Sequence, residues 1–301
     1  MPADIFRRFN VQVRGQGAQT LVFAHGFGCD QRMWRFVAPQ FEATYRVVLF
    51  DLVGSGRSDP AAYDDARHGS LQGYADDLLD MLDALGEERV DFVGHSASSV
   101  IGMLACISRP ERFRRLMMVA PSPRFLNDPP HYHGGFERAD LEGLFDLMEA
   151  NHFGFANFLA PLAMGAQSPP EATAELEAGL CALDPRIARR FARLVFLVDC
   201  RDQLPRVAVP SLIVQCLHDS IAPREVGQFM HRAMPRSTLV ELDAAGHLPH
   251  VTHPEQTTRI LRDYLDETAA HARSRPTALR ADPRRRRRHG AGRQPARDRV
   301  R

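Results

Sequence analysis

The stretch Val90-Asp91-Phe92-Val93-Gly94-His95-Ser96-Ala97-Ser98 constrains this chain more than any other. An apolar, β-branched run leads into it, and Val100-Ile101-Gly102-Met103-Leu104-Ala105 follows with the composition of a buried helix. A strand that turns at once into a helix, with serine at the apex, lifts that hydroxyl above the end of a parallel sheet. The turn is tight, so the positions flanking the serine must be small. Gly94 meets this need, and Ser98, where glycine is more usual, is a departure that a small side chain tolerates. Such a pentapeptide also arises by chance at ordinary strand-to-helix turns. Its meaning depends on whether an acid, a base and a donor-rich loop occur where the turn requires them.

The rest of the chain supplies the frame. Phe9 to Val13 and Thr20 to Ala24, around Gly15-Gln16-Gly17, predict a hairpin. Asp30 to Val37 suits a short helix, and Arg46 to Phe50 a strand. Leu71 to Leu85 has helical period and stops at Gly86. Leu116 to Ala120 reads as the next strand. Strands that are apolar throughout and alternate with helices imply a mostly parallel sheet covered on both faces, an α/β fold. After Pro121-Ser122-Pro123 the pattern becomes all-helical, near 141–151, 155–164, 171–183 and 185–198. Strands resume at Leu212–Leu217 and Thr238–Leu242, and a final helix runs from Pro254 to Leu265. The expected division is a first core part at 1–123, a helical lid at 124–206, a second core part at 207–268 and a tail at 269–301.

That tail carries twelve arginines against Asp282 and Asp298 from His271 onward, with too few apolar residues to fold alone. It is expected to be disordered. It is either an arm for nucleic acid or an anionic surface, or an extension with no dedicated role. Over the full sequence, 44% hydrophobic residues suffice for a sizeable core. No apolar run reaches the roughly 18 residues of a membrane span, and the N-terminus lacks the pattern of a secretory signal. The five cysteines form no CxxC pair. They read as reduced thiols of a cytoplasmic protein rather than disulfides or a zinc site, and no metal or cofactor is expected.

The acid and base follow in the required order. Asp219 stands after the strand ending at Leu217, and His247 after Thr238–Leu242, in Ala245-Gly246-His247. Loops at the carboxyl ends of parallel strands share one sheet edge, where Ser96, Asp219 and His247 converge as nucleophile, acid and base. Thirteen histidines make any single one ambiguous, with His250 and His218 the nearest competitors for the base and Asp243 read as a solvated loop acid. Oxyanion donors are assigned to the Ala97 N–H and, from the loop His25-Gly26-Phe27-Gly28, to the Phe27 N–H. His25 is expected to support that loop at the edge of the pocket. Gly54-Ser55-Gly56-Arg57 lacks the lysine of a phosphate loop and reads as a tight turn beneath the site.

These stretches resemble the α/β-hydrolase superfamily. Others resemble one branch of it more specifically: Cys29-Asp30-Gln31 with Trp34, Phe50 to Gly56, Ser122 to Asp128, Gly134-Gly135-Phe136-Glu137, Asp184 to Arg189 and Ile221-Ala222-Pro223. Together they are similar to the RsbQ family, bacterial hydrolases that regulate the sigma-B stress response, with the plant strigolactone and karrikin receptors as more distant relatives. The likeness runs from about Asn10 to Leu265. It implies the α/β-hydrolase fold with a four-helix lid over a small apolar pocket, with Ser96, Asp219 and His247 as triad and Phe27 and Ala97 as donors. It also implies a signalling partner such as a PAS-domain serine phosphatase. Phe125, Phe155, Phe158 and Phe196 are expected to line the pocket, which favours a small hydrophobic ester or lactone. A general carboxylesterase, a carbon–carbon bond hydrolase and a binding module with incidental turnover are the alternatives.

Overall fold

The computed structural model describes residues 2–274. Seven strands form one sheet: β1 (Gln12–Arg14), β2 (Gln19–Ala24), β3 (Tyr45–Phe50), β4 (Val90–His95), β5 (Phe113–Val119), β6 (Ser211–His218) and β7 (Ser237–Ala245). Their order is β1-β3-β2-β4-β5-β6-β7, with β1 antiparallel to β3 and every other pairing parallel. Every residue of β4 is buried, as a strand covered on both faces requires.

The predicted hairpin is not formed. β1 pairs with β3 rather than with β2, in the register Gln12↔Leu49. The glycines serve a crossing instead. A Cβ on Gly15 would lie 2.3 Å from the Tyr45 carbonyl oxygen, and one on Gly17 2.1 Å from that of Thr44. The link thus passes in backbone contact over the entry to β3, which a side chain at either position would prevent. The short helix expected from Asp30 to Val37 is two 3₁₀ turns, Gln31–Trp34 and Ala38–Phe41, the first capped by the Asp30 carboxylate on the Arg32 N–H. A helix that the sequence pattern did not suggest, α1, spans Pro2–Arg8.

Between strands, α2 (Leu71–Ala84) is capped by Ser70 and ends before Gly86, whose φ of +70° closes the turn. It is followed by α3 (Ala97–Ser108) after β4. Four helices separate β5 from β6: α4 (Arg138–Ala150), α5 (His152–Met164), α6 (Pro170–Cys181) and α7 (Pro185–Phe196). In α7 the Asp184 carboxylate accepts from the N–H groups of Arg186 and Ile187. Ile187, Ala188, Phe191, Ala192, Val195 and Phe196 form its buried face, and its arginines point outward. Arg186 and Arg190 reach Asp65 on the core, and Arg35 of the core makes a two-pronged pair with Glu175 of α6 at 2.9 and 2.6 Å. After β6 come α8 (Arg224–Ala233), then past β7 α9 (Pro249–Thr252) and α10 (Pro254–Ser274).

The chain divides into two compact units, Met1–Asp263 and Tyr264–Arg301. Of the second, the structure describes 264–274, the last turns of α10. The arginine run at 284–288 and the tail role expected for it lie outside the described residues. No helix among the described residues is long and apolar enough to cross a membrane.

Candidate active site

The carboxyl ends of β4, β6 and β7 deliver Ser96, Asp219 and His247 to one edge of the sheet. Ser96 has φ 51° and ψ −116°, a conformation few side chains adopt, at a cost of about 1–3 kcal/mol. Its N–H is held by the Val119 carbonyl at 2.9 Å, and its own carbonyl accepts from the Ser99 N–H. The tightness of the turn is visible at Gly94, where a Cβ would stand 2.5 Å from the Ser98 carbonyl oxygen.

The three side chains form a continuous relay. The Ser96 hydroxyl donates to His247 Nε2 at 2.7 Å, and His247 Nδ1–H donates to Asp219 Oδ2 at 2.7 Å. The other oxygen of Asp219 accepts the Ile221 and Ala222 N–H groups at 2.8 and 3.0 Å. The carboxylate is thereby aimed, and His247 keeps its proton on Nδ1 and a lone pair toward the serine. Among the described residues neither competitor for the base is so placed. His218 is exposed beside Asp243, 3.9 Å away, and Asp243 is itself exposed. His250 is buried against Trp34, stacked at 4.3 Å.

The loop after β2 is built by a different set of contacts. His25 Nε2 accepts the Leu52 N–H at 3.0 Å, which leaves Nδ1 protonated to donate to the Gly26 carbonyl at 2.9 Å. Asp51, buried at the end of β3, accepts from the Gln31 N–H, the Asn10 amide and the Arg57 N–H. Gly56 packs against that carboxylate, which gives the Gly54–Arg57 turn its place. Ser98 has a function that glycine would lack: its hydroxyl donates to the His25 carbonyl, tying the loop to the first turn of α3. The Phe27 and Ala97 N–H groups have no acceptor among the described residues.

Ser96, His247 and Phe27 face a small cavity of about 40 Å³. Phe125 and Phe196 line it. The other two phenylalanines do not, which corrects the expectation. Phe155 is fully buried behind Phe27, with ring centroids 6.2 Å apart, and Phe158 projects outward with 55% of its surface exposed. A single residue separates exposure from lining on α5, since Leu159, next to Phe158, and Ala163, one turn on, reach the cavity. His25 is likewise fully buried beneath the loop and absent from the wall. The wall residues missed by sequence reasoning are Leu176 and Leu180 of α6, Val195 of α7, Ile221, Leu248, His95 and Cys29. Burial pushes the Cys29 thiol up, so it stays protonated. No arginine or carboxylate side chain belongs to this wall among the described residues. Nor do those residues contain a group of three or more His, Cys, Asp or Glu able to hold a metal ion.

Comparison with known proteins agrees with this geometry. Residues 21–260 match the model of the Alpha/beta hydrolase family. Strigolactone esterase RMS3 of Pisum sativum is 45% identical over 268 residues, covering 89% of this chain and all of that one. The Karrikin insensitive 2 receptor CA of Petunia hybrida is 36% identical over 87% of this chain and 97% of its own. Among solved structures, a hydrolase from Oleispira antarctica superposes with a TM-score of 0.86 at 43% identity, covering 88% and 97% of the two chains. The chain belongs to the alpha/beta hydrolase family.

Proposed function

We propose that this protein is a serine hydrolase of small, neutral, apolar esters or lactones, working by acyl transfer through Ser96. The observation that carries this reading is the relay of two 2.7 Å hydrogen bonds ending at an apolar cavity. In the reaction, Ser96 Oγ attacks the carbonyl carbon while His247 Nε2 takes its proton. The Asp219 carboxylate stabilises the imidazolium so formed, and the negative oxygen of the tetrahedral intermediate meets the Phe27 and Ala97 N–H groups. His247 returns its proton to the leaving alkoxide. A water deprotonated by the same nitrogen then attacks the acyl-enzyme and frees Ser96. The apolar wall supports the choice of substrate, since a charged group would shed its hydration there without gaining a partner. The similarity to a strigolactone esterase supports an ester or lactone as the substrate.

A role in signalling is the finer part of the proposal. The resemblance to sigma-B regulators and to plant receptors supports a cytoplasmic protein that reports ligand turnover to a partner, of which a PAS-domain serine phosphatase is the expected kind. The five free cysteines suit that compartment. The Ser96→Ala variant tests both parts. It is expected to lose aryl ester turnover by a factor of about 10⁴ or more while remaining folded. Retained turnover would overturn the hydrolase reading. Pathway activation that survives the substitution would make binding the signal, and activation lost with turnover would make hydrolysis the signal.

A further inference from the structure

The relay leaves the ring beside the nucleophile unused. His95 ends β4, is almost wholly buried, and directs Nε2 to the backbone carbonyl of His247 at 2.9 Å. A carbonyl only accepts, so Nε2 carries the proton and Nδ1 is a bare lone pair. That Nδ1 is buried without a partner, and a Cβ on Gly26 would lie 2.6 Å from it. One imidazole, on the residue next to Ser96, therefore meets both the carbonyl of His247 and the loop after β2 at Gly26. Its ring stands 5.1 Å from that of His247 and 4.5 Å from that of His250. Burial, with the neighbouring imidazoles, holds His95 well below the ordinary histidine range, so it donates without bearing a charge. A cation in its place would oppose the imidazolium that His247 becomes. An apolar residue would leave the His247 carbonyl unpaired in the interior.

We propose that His95 is a positioning residue whose Nε2–H clamps the His247 backbone to the serine turn. Ser96 and His247 then meet twice, through Ser96 Oγ to His247 Nε2 and through His95 Nε2 to the His247 carbonyl, with adjacent residues of one chain segment supplying both halves. The distance between nucleophile and base is then set by two contacts, one at the His247 ring and one at its backbone. This rests on the reading of Ser96 as nucleophile.

The test compares His95→Gln, whose amide nitrogen extends about as far as Nε2, with His95→Asn, which stops short. Both are assayed for p-nitrophenyl acetate turnover, for folding by thermal melting and for fluorophosphonate labelling of Ser96. The Asn variant is expected to lose about tenfold or more in kcat with KM changed less than about twofold, and the Gln variant to stay within about threefold of wild type. An Asn variant as fast as wild type, or two folded variants equally slow, overturns the clamp. If the Asn variant does not fold, the Gln variant decides alone: kcat within about threefold supports the clamp, and a tenfold loss or failure to fold overturns it. Wild-type protein unlabelled at Ser96 removes the nucleophile itself, whereas labelled wild type without a Gln–Asn difference removes only the clamp.

Discussion

Two buried imidazoles next to the relay, His95 and His250, make the stability of the protein depend on pH. His250 has both ring nitrogens without partners, and burial, more than the charges of His247 and Arg35, pushes its pKa down to about 3 from 6.5. The unfolded chain takes up that proton near pH 6.5, while the folded protein refuses it until about pH 3. Below pH 6.5 the unfolded state therefore binds more protons, and stability falls as the pH drops toward 3. His95 acts in the same direction. His250→Phe keeps a ring for Trp34 to stack on and removes the titration. Its melting temperature is expected to decline less steeply than wild type between pH 6.5 and 4, with stability at pH 8 within about 1.5 kcal/mol. Identical slopes in the two proteins would contradict this account of His250.

Where lid and core meet, two glycines let α6 approach the loop after β2 closely. A Cβ on Gly179 of α6 would stand 2.4 Å from the Gly28 carbonyl oxygen, and one on Gly28 2.4 Å from Leu180 Cδ2. A helix of the lid thus rests directly on the loop of the oxyanion donors. Gly179→Ala is expected to lift α6 away from that loop and to raise KM for small esters about threefold to tenfold, since Leu176 and Leu180 leave the wall together. Kinetics of the variant check this, and an unchanged KM would show that α6 does not shape the pocket. The same scale explains what could be read in advance. The order of strand, serine, strand, acid, strand, histidine placed Ser96, Asp219 and His247 on one edge, because parallel connections return every strand's end to the same side. The helices of the lid were legible to within a few residues from their period. Which of their faces meets the cavity was not, since Phe155 and Phe158 differ by less than one turn and only tertiary packing sends one inward. The glycines before β2 marked a reversal correctly but not its partner strand, because a chain turning back beside β2 and one stepping across β3 need the same residues.

At the scale of the whole molecule, an apolar chamber walled by α5, α6 and α7 carries polar ties to the core at its rim, Arg35 to Glu175 and Asp65 to Arg186 and Arg190. Exposed pairs of this kind contribute little to stability, about 1 kcal/mol or less each, so the burial of Leu176, Leu180, Phe191 and Phe196 against the core is what holds the lid in place. What meets at the chamber is a serine in strained backbone and a histidine hydrogen-bonded to it, carried by the loops after β4 and β7. The central claim is that this arrangement makes Ser96 a nucleophile. It is tested most directly by intact-mass analysis after exposure to a fluorophosphonate. The expected result is one adduct per chain, located at Ser96 by peptide mapping and absent from Ser96→Ala. A wild-type protein that stays unlabelled, or one labelled equally in the alanine variant, would contradict it.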